Sequence, residues 1–183
     1  MAVQTRVQLQ NKSATVQNET VANANTALRV GGLFDDFADS VTLNSERGLM
    51  TLYVDSSVYY TPSTSTPAVL NVNMNAGPSF GSSFSESSHA ITYNGIIQAP
   101  IRISVQLNFT GTNNRKYSFW IAQDGNIIPQ SLSENTTQGT HSHVVSAEAF
   151  VVANTGSYFH IYASSNDSNP IDIKTLTFAA YTL

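Results

Sequence analysis

His141-Ser142-His143 is the one spacing in this chain of 183 residues that could hold a metal ion. On a strand, side chains at i and i+2 share a face, so both imidazoles could reach one ion. No carboxylate or third ligand lies near them in sequence, and two exposed histidines at a loop edge are the plainer reading. For catalysis the residues offer less. Ser, His and Asp all occur, but no G-x-S-x-G elbow does. Glu148 falls mid-strand and Asp124 falls in a turn, whereas a glycosidase needs two facing carboxylates. No enzymatic activity and no cofactor are expected. Asn11, Asn18, Asn108, Asn135 and Asn166 each begin an N-x-S/T triplet, which a chain rich in Asn and Thr produces by chance.

The composition narrows the partners. Charged residues make up 11% of the chain, against roughly 25% in an average soluble domain. Ser, Thr, Asn and Gln replace them, and such a surface suits protein or glycan contact. The net charge of -4 and the lack of a Lys/Arg cluster argue against nucleic acid. Arg115-Lys116 is the only basic pair, and a solvated hairpin tip accounts for it. Cysteine is absent, which excludes disulfides and thiolate metal sites and tilts the origin towards bacteria, phages or viruses. The opening MAVQTRVQLQ lacks the apolar run of a signal peptide, and no stretch approaches a membrane-spanning length. No membrane partner is expected.

The best-defined elements lie between Pro100 and Ile128. From Ile101 to Phe109 every odd position is apolar and every even one polar, so one face of a strand is buried and the other wet. Gly111-Thr112-Asn113-Asn114 turns the chain. Tyr117, Phe119 and Ile121 form the apolar face of a second strand, ended by the tight-turn pair Asp124-Gly125. The pattern predicts an antiparallel hairpin. Gly48–Val54 is a predicted strand, and Val58–Tyr60 extends it or opens a loop. Thr61–Thr66 is a loop by composition. Leu70, Val72 and Met74 face inward. Ala76–Ser88 is a Gly/Ser-rich loop, or a pair of weak edge strands, anchored by Phe80 and Phe84. His89–Tyr93 is a strand, followed by a tight turn at Asn94-Gly95. Ile127–Gly139 is expected as a long exposed loop.

His141–Val152 is a further strand, with Val145, Ala147, Ala149 and Val151 inward. After the Asn154-Thr155-Gly156 turn, Phe159, Ile161 and Ala163 point one way and Tyr158, His160 and Tyr162 the other. Ser164–Asn169 is a polar loop. The last strand carries Ile171, Ile173, Leu176, Phe178 and Ala180, and its alternation shifts by one between Ile173 and Leu176, which predicts a bulge. Eight to ten short strands separated by turns define an all-β sandwich or jelly roll.

Residues 1–47 differ. Val3, Val7 and Leu9 are scattered among polar residues, and such an arm cannot offset its own ordering entropy. It is expected to be held by other copies of the chain or by a partner. Leu33, Phe34, Phe37 and Val41 fall at helical spacing opposite Asp35, Asp36 and Asp39, which predicts a short helix near 33–41. That helix either docks its stripe on a partner or plugs the β-domain.

ITYNG (Ile91–Gly95), the run from Ile101 to Pro129, the run from Val145 to Asp167 and IDIKTLTFAAYTL (Ile171–Leu183) together resemble the head domains of bacteriophage fibre and virion-surface proteins. Those resemble in turn the tumour-necrosis-factor-like jelly rolls, which include the globular heads of complement. The matched elements are an alternating strand ending in F-x-G, an aromatic strand ending in a D-G turn, a strand before x-x-G with an aliphatic strand after it, and a C-terminal strand. They cover positions 89–183. Residues 25–40 also resemble short linkers of phage tail and fibre proteins.

The resemblance implies an antiparallel jelly-roll head over residues 48–183, assembled as a homotrimer. Trp120, Tyr158, Tyr162 and Tyr181 lie off the inferred core faces and suit the trimer interface, or else cap the ends of the sandwich. Near a three-fold axis the His141 and His143 pair would be tripled. Residues 1–47, through Val3, Val7, Leu9, Leu33, Phe34 and Phe37, would attach the head to other virion proteins. The expectation is a non-enzymatic protein of the virion surface, a tail-fibre or spike head for host attachment. Its loops at Thr61–Thr66, Ile127–Gly139 and Ser164–Asn169 would meet host-surface glycans. The alternative is a capsid decoration protein whose arm stabilises the lattice.

Overall fold

The computed structural model describes residues 48–139 and 141–183. The arm, the helix near 33–41 and the attachment residues Val3, Val7, Leu9, Leu33, Phe34 and Phe37 fall outside the described residues. Among those described, the chain forms fourteen strands and one 3-10 turn. In order they are β1 (Leu49–Val54), β2 (Val58–Tyr60), β3 (Ser63–Thr64), β4 (Ala68–Val69), β5 (Asn75–Ala76), β6 (Phe84–Ser87), β7 (Ala90–Tyr93), β8 (Ala99–Thr110), β9 (Lys116–Gln123), β10 (Asn126–Ile127), the turn Pro129–Ser131, β11 (Ser133–Thr136), β12 (His143–Ala153), β13 (Tyr158–Ser165) and β14 (Ile171–Thr182).

They build two sheets. The first runs β12-β8-β14-β1-β5, with β2 added to β14. The second runs β10-β9-β13-β7-β6, with β11 on β9 and with β3 and β4 on β13. Every ladder is antiparallel except β3 on β13. The inward residues of both sheets form one core. Ile101, Ile103, Leu107 and Phe109 of β8, Phe119 and Ile121 of β9, Phe159 and Ile161 of β13, and Phe178 of β14 are all fully or almost fully buried. Leu70, Val72 and Met74 are buried as expected. The bulge in β14 falls between Ile173 and Thr175, where the register against β8 shifts.

The hairpin expected from β8 and β9 does not form. β8 pairs with β12 and β14 in the first sheet, while β9 pairs with β13, β10 and β11 in the second. The turn at 111–114 carries the chain across the sandwich instead. Both strands keep their alternation, because each buries one face against the other sheet rather than bonding edge to edge. Phe109 accordingly meets Tyr117 at 5.6 Å and Phe119 at 5.4 Å, edge to face, across the core. The turn at Asn94-Gly95 likewise leads from β7 in one sheet to β8 in the other. Asp124-Gly125 does close a hairpin: both residues have positive φ, and Asn126 pairs with Gln123.

Three segments expected as loops carry structure. Ile127–Gly139 contains the 3-10 turn and β11, which pairs with β9 from Ser133 to Thr136. Ser131 is buried, accepts from the Ile121 N–H at 2.8 Å and donates to the Ile128 carbonyl at 2.7 Å. Thr137 is fully buried; its hydroxyl donates to the Thr112 carbonyl and accepts from the Arg115 N–H at 3.3 Å. Polar side chains that bond the backbone in this way look like loop residues in a composition count. Thr61–Thr66 contributes β3, and β13 continues through the buried Ser164 and Ser165. Phe80, expected as an anchor, is 59% exposed, while Phe84 is buried.

Gly111 sits where the crossing turn passes Tyr117. A Cβ there would lie 2.7 Å from Tyr117 Cε2 and 3.1 Å from Thr137 Cγ2. The Tyr117 ring is held by Phe109, and its oxygen accepts from the Thr112 N–H at 3.3 Å. Gly111→Ala is therefore expected to cost about 1–3 kcal/mol, measured by urea denaturation.

Candidate functional site

The alternation of each strand leaves two outward faces, one per sheet. On the first sheet, Arg102 of β8 lies directly opposite Phe150 of β12 and Tyr181 of β14. Residues opposite each other in a ladder share a face. The Arg102 guanidinium lies 5.6 Å from the Phe150 ring centre and 5.3 Å from that of Tyr181, and it pairs with Glu148. Along β12 the same face carries Val144, Phe150 and Val152, exposed by 55%, 64% and 55%. Between these side chains is an open depression floored by Ser104, Gln106, Ser146 and Thr177 and bordered by Glu148. This part of the face is apolar at its ends and uncharged on its floor; Arg102 is already bound to Glu148, and Lys174, further along β14, to Asp172.

On the second sheet, Trp120 of β9 lies opposite Tyr162 of β13, and Tyr162 opposite Val69 of β4. Tyr158, His160 and Tyr162 follow at alternate positions. The His160 ring stacks on His89 at 5.4 Å and meets Tyr158 edge-on at 5.3 Å. The Asp124-Gly125 turn bounds the row. Asp124 accepts from the Tyr158 N–H at 2.9 Å through Oδ1 and from the Ser157 hydroxyl at 3.1 Å through Oδ2. The Tyr162 hydroxyl donates to the Gly125 carbonyl at 3.4 Å.

The four aromatic residues expected at one interface therefore do not share a surface. Trp120, Tyr158 and Tyr162 stand together on the second sheet, and Tyr181 stands on the first. Strand alternation marks each as outward, but which strands pair is set by contacts distant in sequence. The histidine at 160 and the exposed valines of β12 were not singled out from the sequence, although the alternation of β13 and β12 already placed them outward.

His143 begins β12, while His141 precedes it. His141 Nδ1 donates to the Gln138 carbonyl at 2.9 Å, and His143 Nε2 accepts from the Gln138 N–H at 3.2 Å. That bond uses the lone pair with which the neutral His143 ring would bind an ion. Among the described residues no group of three or more His, Cys, Asp or Glu side chains is placed to hold a metal. Asp124 and Glu148 lie on different sheets and are each engaged as described.

Burial lowers the affinity of His160 for a proton, and the neighbouring His89 lowers it further. The sign follows directly. Below the ordinary histidine range the unfolded chain takes up a proton that the folded chain resists. Stability present near neutral pH is thus lost as pH falls through that range towards the depressed folded value. His160→Gln is expected to flatten this part of the pH dependence, read as denaturation midpoints at pH 7 and pH 5.

No protein-family model matches the chain, and no curated protein matches it in sequence. Solved structures do match in fold. Murine APRIL is 8% identical with a TM-score of 0.53, covering 75% of this chain and 99% of that one. The globular domain of zebrafish complement 1qA protein is 9% identical with a TM-score of 0.50, covering 72% and 94%. PRD1 vertex protein P5 is 10% identical with a TM-score of 0.50, covering 74% and 73%. At such identities the likeness is one of fold. The described residues have the two-sheet jelly-roll fold seen in a complement globular domain and in a vertex protein.

Proposed function

We propose that this chain is a non-enzymatic bacteriophage virion protein: a trimeric jelly-roll knob held on the particle by residues 1–47 and contacting host-surface glycans. The observation that carries the reading is the outward face of the first sheet. Val144, Phe150 and Val152 are more than half exposed beside the Arg102–Tyr181 stack. Exposed apolar side chains grouped on one face mark a contact surface, and aromatic residues and Arg dominate the energetics of such surfaces. With Arg102 already bound to Glu148, the face neither repels nor requires a charged partner, so it suits contact with a neighbouring copy of the chain. The three-fold order comes from the family resemblance. A closed ring of identical contacts gives a finite assembly.

The fold shared with a vertex protein supports a place on a virion, and it also favours a second reading. In that reading the chain is a capsid decoration protein, and residues 1–47 carry the function. Sedimentation of the full chain, followed by mixing with host cells and with assembled capsids, separates the two. A trimer that binds cells supports the knob. A trimer that binds only capsids, and loses them when residues 1–47 are deleted, supports decoration. A monomer at all concentrations overturns the trimeric reading.

A further inference from the structure

We infer that the outward face of the second sheet is the saccharide site, and that it takes a neutral pyranose ring laid on Trp120 and Tyr162 beside Tyr158 and His160. The inference rests on the reading above for the class of ligand and adds the site, its chemistry and its separation from the self-contact.

Three observations point there. First, the rings share one outward face. Trp120 and Tyr162 lie opposite each other across the β9–β13 ladder, and Tyr158 meets His160 edge-on at 5.3 Å on the same strand. Each is an amphipathic ring with an apolar face and a polar tip. A pyranose is complementary to that: its axial C–H bonds present an apolar, slightly positive face, and its hydroxyls lie around the rim. Second, the described residues bring no free cation to the site, and the Asp124 carboxylate at its edge disfavours an anionic ligand. Both oxygens of Asp124 already accept hydrogen bonds, from the Tyr158 N–H and the Ser157 hydroxyl. Lys116, at the far end of β9, is 2.8 Å from Glu134. A platform without a free cation stacks a ring but has nothing to offer a phosphate, a sulfate or a sugar carboxylate. This favours a neutral sugar over a nucleic acid, whose affinity depends on cations at its phosphates. Third, the two faces differ in kind. The first sheet presents exposed aliphatic and phenyl groups around a polar depression and a paired arginine, a mixture that suits burial against protein. The second presents half-buried rings with hydroxyl and imidazole tips, which suit a hydroxylated ligand.

In a trimer assembled through the first sheet, three such platforms face outward together. A weak single site is then multiplied by valency of roughly 10²–10⁴ on a surface that carries many copies of the sugar.

The test uses the full chain, whose single tryptophan is Trp120. Its emission therefore reports this face without labelling. Methyl glucoside, methyl galactoside and methyl N-acetylglucosaminide are titrated as neutral probes, with sialyllactose as the anionic one. At least one neutral glycoside is expected to shift the Trp120 emission saturably in the millimolar range. Saturation transfer should then mark the axial protons of that sugar. Tyr162→Ala should weaken the effect about tenfold or more, with the melting temperature checked to show that the head is folded, while Phe150→Ala should leave it unchanged. Loss of binding in Phe150→Ala but not in Tyr162→Ala would overturn the placement. Stronger binding of sialyllactose than of every neutral sugar would overturn the chemistry. An emission shift that follows protein concentration without sugar would show a second copy on this face and overturn the inference. No response to any neutral glycoside also overturns it, and sedimentation of the same samples shows separately whether the trimer stands. Sugar binding by a monomer would sink the trimer and keep the site.

Discussion

Phe150→Asp is expected to turn the assembled protein into a folded monomer, seen in sedimentation as a fall from three chain masses to one. Phe150 is 64% exposed in the single chain, so its ring contributes little to the fold. Exposed substitutions of this kind usually change stability by less than about 0.5 kcal/mol. The new carboxylate would also lie opposite Arg102, which can receive it. In the assembly, the same position would bury a desolvated carboxylate where the ring had packed against the neighbour, with Arg102 shared between it and Glu148. Truncating a central aromatic contact typically costs about 2 kcal/mol or more, and a closed trimer repeats the loss at three equivalent contacts. An unchanged mass with Phe150→Asp would move the self-contact away from the first sheet. A monomeric parent would remove it altogether.

Phe109→Ala should be the most destabilising single truncation, at about 3–5 kcal/mol, read from the urea midpoint at constant slope. Phe109 is fully buried and joins the two sheets through Tyr117 and Phe119, with His143 at 6.0 Å. No single neighbour can fill the space its ring would leave, since those contacts come from two strands in opposite sheets. Phe80→Ala provides the contrast. It removes a ring of similar size from an exposed position and should fall within about 0.5 kcal/mol of the parent. Since a domain of this size is stable by about 5–15 kcal/mol, loss of Phe109 would bring the head close to unfolding at physiological temperature.

These two phenylalanines show what was legible in the chain. Phe109 lies in an unbroken alternation and was placed inward from its neighbours alone. The outward side of β13, the bulge in β14 and the Asp124-Gly125 turn were legible for the same reason: each depends on a few adjacent residues. Partnership between strands was not. β8 and β9 are joined by a turn that suits a hairpin, yet they belong to opposite sheets. Local pattern specifies which face is buried but not whether the cover comes from the next strand or from the facing sheet. The grouping of Trp120 with Tyr162, and the separation of Tyr181 from both, follows from that long-range choice. β11 was missed for a different reason. Ser133–Thr136 is polar and follows a proline, as many loops do, and only its ladder with β9 makes it a strand. Ser131 and Thr137 bury hydroxyls whose partners are backbone groups, which composition does not reveal.

The start of β1 has a mechanical consequence. Gly48 accepts from the Thr182 N–H and donates to the Thr182 hydroxyl, and the ladder continues through six pairs from Leu49–Tyr181 to Val54–Leu176. A tether pulling on residue 47 along the direction of β1 therefore loads this ladder in shear. Its hydrogen bonds lie across the pull and must yield together, whereas a pull at right angles would open them one at a time. A head mounted through this strand resists tension best along its own mooring line.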